Sequence, residues 1–193
     1  MENSYHYSIK PIILAFVGMP GSGKSEAAAY LSEKGVPFIR FGEITDQEVE
    51  KMGYPLTPES ERIEREKLRK EHGMAAYAIL SKSKIDKLIK EHKVIAIDGL
   101  YSWEEYLYLK KEYPGLTIIN VYAESLKRYE RLAQRSVRQM SFQEARERDI
   151  AELEKLNKGA PIAIADYLIE NNSDLENMYM QIDHLLARLH ISL

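Results

Sequence analysis

The chain has 193 residues, 45% of them hydrophobic, with no cysteine, a formal net charge of -3 and a pI near 6.0. That length closes one sizeable α/β core rather than two full domains, and the mildly acidic balance argues against nucleic acid or an anionic membrane surface as the main partner. Without cysteine there is no disulfide framework, thiolate metal site or thiol nucleophile, so any metal has to sit on oxygen ligands. Residues Met1 to Lys10 lack the charged start and apolar stretch of a signal peptide, and no apolar run is long enough to span a bilayer, which makes the cytoplasm the expected location.

Short apolar runs alternate with longer amphipathic segments, the pattern of parallel strands joined by crossover helices. The first run, Ile12 to Val17, leads into Gly18-Met19-Pro20-Gly21-Ser22-Gly23-Lys24-Ser25, which fits G-x-x-x-x-G-K-[ST] and is followed by a helical stretch from Glu26 to Lys34. A strand, a glycine-rich turn and a helix start in that order turn backbone N–H groups around a phosphate and add the positive end of the helix. Gly18, Pro20, Gly21, Ser22, Gly23 and Glu26 are therefore expected around ATP, with Lys24 on the outer phosphates and the Ser25 hydroxyl on Mg²⁺.

The second run, Val36 to Phe41, opens into Gly42 and Glu43, and Glu43 at a strand's carboxyl end is a candidate acceptor contact or general base. Residues 43–91 then read as a helical insertion that binds the acceptor. Thr45 and Glu48 have capping-box spacing, and Thr57 before Pro58 suits a second helix start. Within it Arg62, Arg65 and Arg69 share an arc of about 60° on a helix, a candidate anion-binding face, although Glu61/Arg65 and Glu66/Lys70 are also spaced as surface ion pairs.

The third run, Val94 to Ile97, ends in Asp98-Gly99, a Walker B pattern whose carboxylate reaches the metal. Gly99 takes the place where a hydrolytic ATPase commonly carries a water-polarising glutamate, which favours transfer over hydrolysis and leaves room for the acceptor. Ser102/Glu105 marks the next helix, on which Trp103 and Tyr106, with Tyr101 before it, read as core or as a stacking surface for a base.

The fourth run is Leu116 to Tyr122 and the fifth Tyr167 to Ile169; residues 125–165 between them form the expected lid region. Nine of the eleven arginines lie in two windows, Arg62 to Arg69 and Arg128 to Arg148. Continued as one helix, Arg128, Arg131, Arg135 and Arg138 fall within an arc of about 80°, and with Arg146 and Arg148 they suggest a hairpin whose guanidinium groups meet the triphosphate. Ser141/Glu144 and Ser173/Glu176 mark further helix starts. Asn157-Lys158-Gly159-Ala160 begins like the guanine-reading N-K-x-D, but Ala160 offers no carboxylate for guanine, so adenine is the expected base.

With these parts in place the chain resembles the nucleotide-kinase group of P-loop proteins, and its second half resembles dephospho-CoA kinase. Arg131-Leu132-Ala133-Gln134-Arg135 is similar to the R-L-x-x-R lid segment, Ser141 to Arg146 to the S-x-x-x-A-x-x-R stretch, and Ala165-Asp166-Tyr167-Leu168-Ile169-Glu170-Asn171 to the A-D-Y-V-I-x-N strand. Phe41-Gly42-Glu43 and Asp98-Gly99 are closer to adenylate-kinase-like enzymes. The resemblance implies a three-layer α/β P-loop nucleotide-kinase fold of about five parallel strands, with a helical lid and an acceptor-binding insertion, and an ATP- and Mg²⁺-dependent kinase acting on dephospho-CoA or a nucleoside monophosphate. Lys24, Asp98, Arg131, Arg135 and Glu43 are the expected catalytic set, Ser25 and Asp98 the metal ligands, and Glu43, Arg62, Arg65, Arg69 and Gly99 the acceptor contacts. The rival expectation is an ATP-binding regulatory protein or slow ATPase without an acceptor. Nucleic acid and membrane are not expected partners, and the sequence leaves the oligomeric state open.

Overall fold

The computed structural model describes residues 11–193, so the reading of Met1 to Lys10 lies outside the described residues. Five parallel strands, β1 (Ile12–Val17), β2 (Phe38–Arg40), β3 (Val94–Asp98), β4 (Leu116–Tyr122) and β5 (Tyr167–Glu170), form one sheet in the order β2-β3-β1-β4-β5. The helices are α1 (Lys24–Glu33), α2 (Gly42–Lys51), α3 (Pro58–His72), α4 (Ala76–Glu91), α5 (Trp103–Glu112), α6 (Ser125–Ala133), α7 (Phe142–Leu156), α8 (Gly159–Ala163) and α9 (Leu175–Arg188).

Strand β1 is central and apolar throughout because helices cover both faces of the sheet. Ile13, Ala15 and Val17 pack on one side with Tyr77 and Ile85 of α4 and Leu109 of α5. Leu14 and Phe16 pack on the other with Ala27 and Leu31 of α1 and Met178 and Ile182 of α9. The chain leaves β1 towards β2 on one flank and later fills β4 on the other, so the strand order reverses at β1. A crevice opens there at the carboxyl ends of the strands.

Both long connections are helical, α2 to α4 in one and α6 to α8 in the other, as their composition requires. Several local expectations are corrected. Strand β2 is three residues long instead of six, because it has β3 alone as a partner and Pro37 has no N–H to give to a ladder. Thr45 does not cap α2, which begins at Gly42; it lies inside the helix, buried, with its hydroxyl 2.6 Å from that of Tyr77. Helix α9 is capped by Asp174, which accepts from the N–H of Asn177, and not by Ser173. Thr57, Ser102 and Ser141 do cap their helices, the first paired reciprocally with Ser60. Finally, α6 stops at Ala133 and Arg138 has φ 58, so the four arginines do not share one helical face.

The Thr45–Tyr77 bond ties α2 to α4 inside the core. Thr45→Val keeps the shape but leaves a buried phenol without a partner, which costs about 1–3 kcal/mol. In urea or thermal unfolding the variant is expected to be destabilised by that amount while Thr45→Ser stays near the wild type; equal stability of all three would refute the role of this bond.

Candidate active site

The loop from Gly18 to Ser25 follows β1 and runs into α1 at the sheet's carboxyl edge. Gly21 and Gly23 have φ 80 and 103, a left-handed region that side chains disfavour, and a Cβ on Gly23 would lie 2.2 Å from the Asn171 amide nitrogen. Among the described residues no acceptor meets the N–H groups of Gly21, Gly23 or Lys24. The Ser22 hydroxyl is buried without a partner. Such a cradle is built for an external acceptor such as a phosphate.

Three side chains hold the loop from behind. Asn171, just beyond β5, donates its amide to the Ser22 carbonyl at 2.8 Å. Arg131 of α6 donates to the Asn171 carbonyl at 2.8 Å, with its other terminal nitrogen buried and unbonded. Arg128 is buried, donates to the Pro20 carbonyl at 2.9 Å and grips Asp149 of α7 through both terminal nitrogens, at 3.0 and 2.6 Å. The sequence alone gave no sign of this bracing, since it joins positions more than a hundred residues apart. Arg128 and Arg131 are thus engaged in holding the loop and α7, and the expected face of four arginines is divided among separate tasks.

The two residues expected on the metal come together. The Ser25 hydroxyl donates to Asp98 Oδ2 at 2.8 Å, joining the start of α1 to the end of β3. Paired oxygen donors of this kind suit a hard cation such as Mg²⁺. Lys24 folds its ammonium back onto the Met19 carbonyl at 3.1 Å. Burial first and then Lys158 lower its pKa, Asp98 and Glu152 pull the other way, and the net result is about 7.

Lys158 is the residue that the sequence reading passed over. It follows α7, is 1% exposed, pairs with Glu152 and lies with its ammonium 5.3 Å from the Tyr101 ring centre. Its likeness to a guanine-reading lysine has no part in this placement. Arg148 donates to the other Glu152 oxygen at 3.0 Å. Burial alone would raise the Glu152 carboxyl, but Lys158, Arg148 and Lys24 bring it down to about 2. Arg135, exposed in the turn after α6, has no hydrogen-bond partner among the described residues, and burial of its head, then Arg148 and Arg138, lower its pKa. Lys24, Arg148 and Lys158 thus gather around Asp98 and Glu152, while Arg135 stands near Arg148, Arg138 and Glu26.

Residues expected on the acceptor side are more scattered. Glu43 in the first turn of α2 is bound to Lys84 at 2.9 Å and to Gln47 at 3.3 Å and touches neither the loop nor Asp98. Arg62 is exposed and paired with Glu66, Arg65 pairs with Glu61, and Arg69 lies over the Tyr77 ring. Trp103 and Tyr106 stack on each other at 4.9 Å, and Gly99 takes φ 98 directly after Asp98. Arg146 is exposed on α7.

The fold and the cradle define a P-loop protein of kinase-like architecture. Residues 14–157 match the AAA domain family. Among solved structures, TT1252 from Thermus thermophilus superposes with a TM-score of 0.64 at 20% identity, covering 93% of this chain and 98% of that one. A shikimate kinase from Bacteroides thetaiotaomicron gives 0.57 at 15% identity over 93% of this chain and 99% of its own, and a gluconokinase from Sinorhizobium meliloti 1021 gives 0.54 at 18% over 93% and 96%. At such identities the likeness is one of fold. A UPF0200 protein of Thermococcus sibiricus is 38% identical across 93% of this chain and 96% of its own length, and one of Pyrococcus abyssi 32% identical across 92% and 97%. The chain belongs to the UPF0200 family.

The Lys24 ammonium gives the site a pH signature. With its pKa at about 7 in the free protein, a phosphate beside it favours the charged form and raises that pKa, so binding takes up a proton. Calorimetry of ATP binding in buffers of different ionisation enthalpy is expected to show uptake that grows from pH 7 to pH 8, with affinity falling over the same interval. Lys24→Met should abolish the uptake; uptake that persists in it would place the titrating group elsewhere.

Proposed function

We propose that this chain is an ATP- and Mg²⁺-dependent phosphotransferase that moves the γ-phosphoryl group to a small nucleotide-like acceptor. The observation that carries the reading is the Ser25–Asp98 hydrogen bond beside the cradle, at the mouth of a cation-rich opening in which Arg135 remains unpaired among the described residues. In this reading Lys24 and the loop N–H groups hold the outer phosphates of ATP. The Ser25 hydroxyl and Asp98 would hold Mg²⁺, which would supply positive charge against those phosphates. Arg135 covers the transferred group and stabilises charge as it spreads over the equatorial oxygens. Arg148 supports it from α7, with Glu152 and Lys158 fixing its position.

The absence of a glutamate after Asp98 supports transfer over hydrolysis. The acceptor follows from how it would lose its proton. A hydroxyl acceptor such as that of dephospho-CoA needs a base, and Glu43 is engaged by Lys84 and Gln47. A phosphate monoester is largely ionised near neutral pH, with a second pKa near 6, and needs none. A nucleoside monophosphate is therefore the better-supported acceptor. The likeness to dephospho-CoA kinase in the lid and last strand falls partly on Arg131 and Asn171, which brace the loop and carry no acceptor specificity. Residues 43–91 serve as the acceptor-binding insertion and 125–165 as the lid.

A screen of nucleoside monophosphates and dephospho-CoA is expected to find one that raises ADP release above the acceptor-free rate. If none does, a nucleotide sensor or slow ATPase on the same cradle is the better account. With the active acceptor, Arg135→Ala should lower kcat by about 10²–10³-fold with little change in ATP affinity, because its contact strengthens in the transition state. Unchanged turnover would remove Arg135 from the mechanism.

A further inference from the structure

One arginine outside both arginine-rich windows ends at the crevice. Arg40 is the last residue of β2 and is in register with Asp98 on β3. One terminal nitrogen is held by Asp46 of α2, whose other oxygen receives Arg138 at 3.2 Å. The remaining Arg40 donors, Nη1 and Nε, have no hydrogen-bond partner among the described residues. The guanidinium is thus fixed at one end and open at the other.

Near it is the Tyr101 hydroxyl, also without a hydrogen-bond partner among the described residues. The Tyr101 ring meets Tyr77 edge-on at 6.2 Å and has the Lys158 ammonium 5.3 Å from its centre, so the hydroxyl is aimed by packing on two sides. Burial, then the charge of Asp98, raise the phenol's pKa further above its already high ordinary value.

Gly42 keeps the space beside both groups clear, and Gly99 makes room for the Tyr101 ring itself. A Cβ on Gly42 would lie 3.3 Å from Arg40 Nη1 and 3.6 Å from the Tyr101 hydroxyl oxygen. One on Gly99 would lie 2.6 Å from that same oxygen. Gly42 does not have a left-handed φ, so its backbone does not demand glycine; any side chain there would occupy the gap between the two donors.

We propose that Arg40 and Tyr101, which both border Gly42 beside Asp98, form the subsite that grips the phosphate monoester of the acceptor and so selects acceptors that carry one. The word acceptor rests on the phosphotransferase reading; the phosphate subsite itself does not. Its position next to Asp98 sets the gripped phosphate at the metal side of the crevice, where the receiving oxygen has to lie. Two fixed donors, one of them charged, and a neighbouring cation-rich opening favour an ionised phosphate over a neutral hydroxyl.

The test is binding, measured with Mg·AMP-PNP at saturation so that the P-loop is filled. The four ribonucleoside 5′-monophosphates are titrated against wild-type protein beside their nucleosides. At least one monophosphate is expected to bind tenfold or more tightly than its nucleoside. Arg40→Gln and Tyr101→Phe should each remove most of that preference, and Gly42→Ala should weaken the monophosphate by filling the gap. Mg·AMP-PNP affinity and melting temperature report folding in each variant; if Arg40→Gln fails there through loss of its Asp46 contact, Tyr101→Phe and Gly42→Ala decide. No preference in the wild type, or a preference that survives in the folded variants, overturns the subsite. Monophosphate binding that depends on Arg40 without any ADP formed sinks phosphoryl transfer alone, whereas ADP formed with an unchanged acceptor KM in Arg40→Gln sinks this subsite alone.

Discussion

A loop that turns successive N–H groups away from its own carbonyls keeps few internal hydrogen bonds, here those to the Met19 carbonyl, and the rest of this structure is arranged around that need. Helix α1 fixes one end of the loop and β1 the other, while Asn171, Arg131 and Arg128 reach its carbonyl side from β5 and α6. The Arg128–Asp149 pair carries the same brace on to α7. Buried ion pairs contribute little net stability, yet removing one partner costs about 3–5 kcal/mol by stranding the other charge. The pair thus specifies where the loop, α6 and α7 sit more than how stable they are.

Having a rigid cradle, the molecule surrounds it with more cation than it can neutralise internally. Glu152 holds Lys158 and Arg148, Asp98 holds Ser25, and the low pKa of Lys24 records first its burial and then the nearby Lys158. An anion beside Lys24 favours its charged form. The network continues past Lys158, which lies under Tyr101; Gly42 borders both Tyr101 and Arg40, and Asp46 joins Arg40 to Arg138 in the turn between α6 and α7.

Periodicity and local chemistry made much of the architecture legible. The apolar run of β1, the glycine-rich turn after it and the Asp that ends β3 are each set by neighbouring residues, so the donor side could be read along the chain. Capping boxes at Thr57, Ser102 and Ser141 were legible for the same reason. Thr45 misled because it has cap spacing but lies one turn inside α2, where burial against Tyr77 decides its bond. The arginines misled because spacing assumes an unbroken helix, and α6 ends at Ala133 before Arg135 and Arg138 can join its face.

Acceptor-side residues follow a different logic. Arg40 stands alone in the sequence, outside both arginine windows, and nothing local marks it; Lys158 lies in a segment whose pattern suggested a base-reading motif the chain does not complete. Both acquire their surroundings from strands and helices far away in sequence. The sequence by itself determined the sheet, the phosphate cradle and the Ser25 and Asp98 oxygens, because each depends on contiguous residues whose backbone geometry and periodicity are local. Only the tertiary structure decided which arginines brace and which remain open, and that Arg40 and Tyr101 both border Gly42, because the partners of a long charged side chain are set by packing between distant segments.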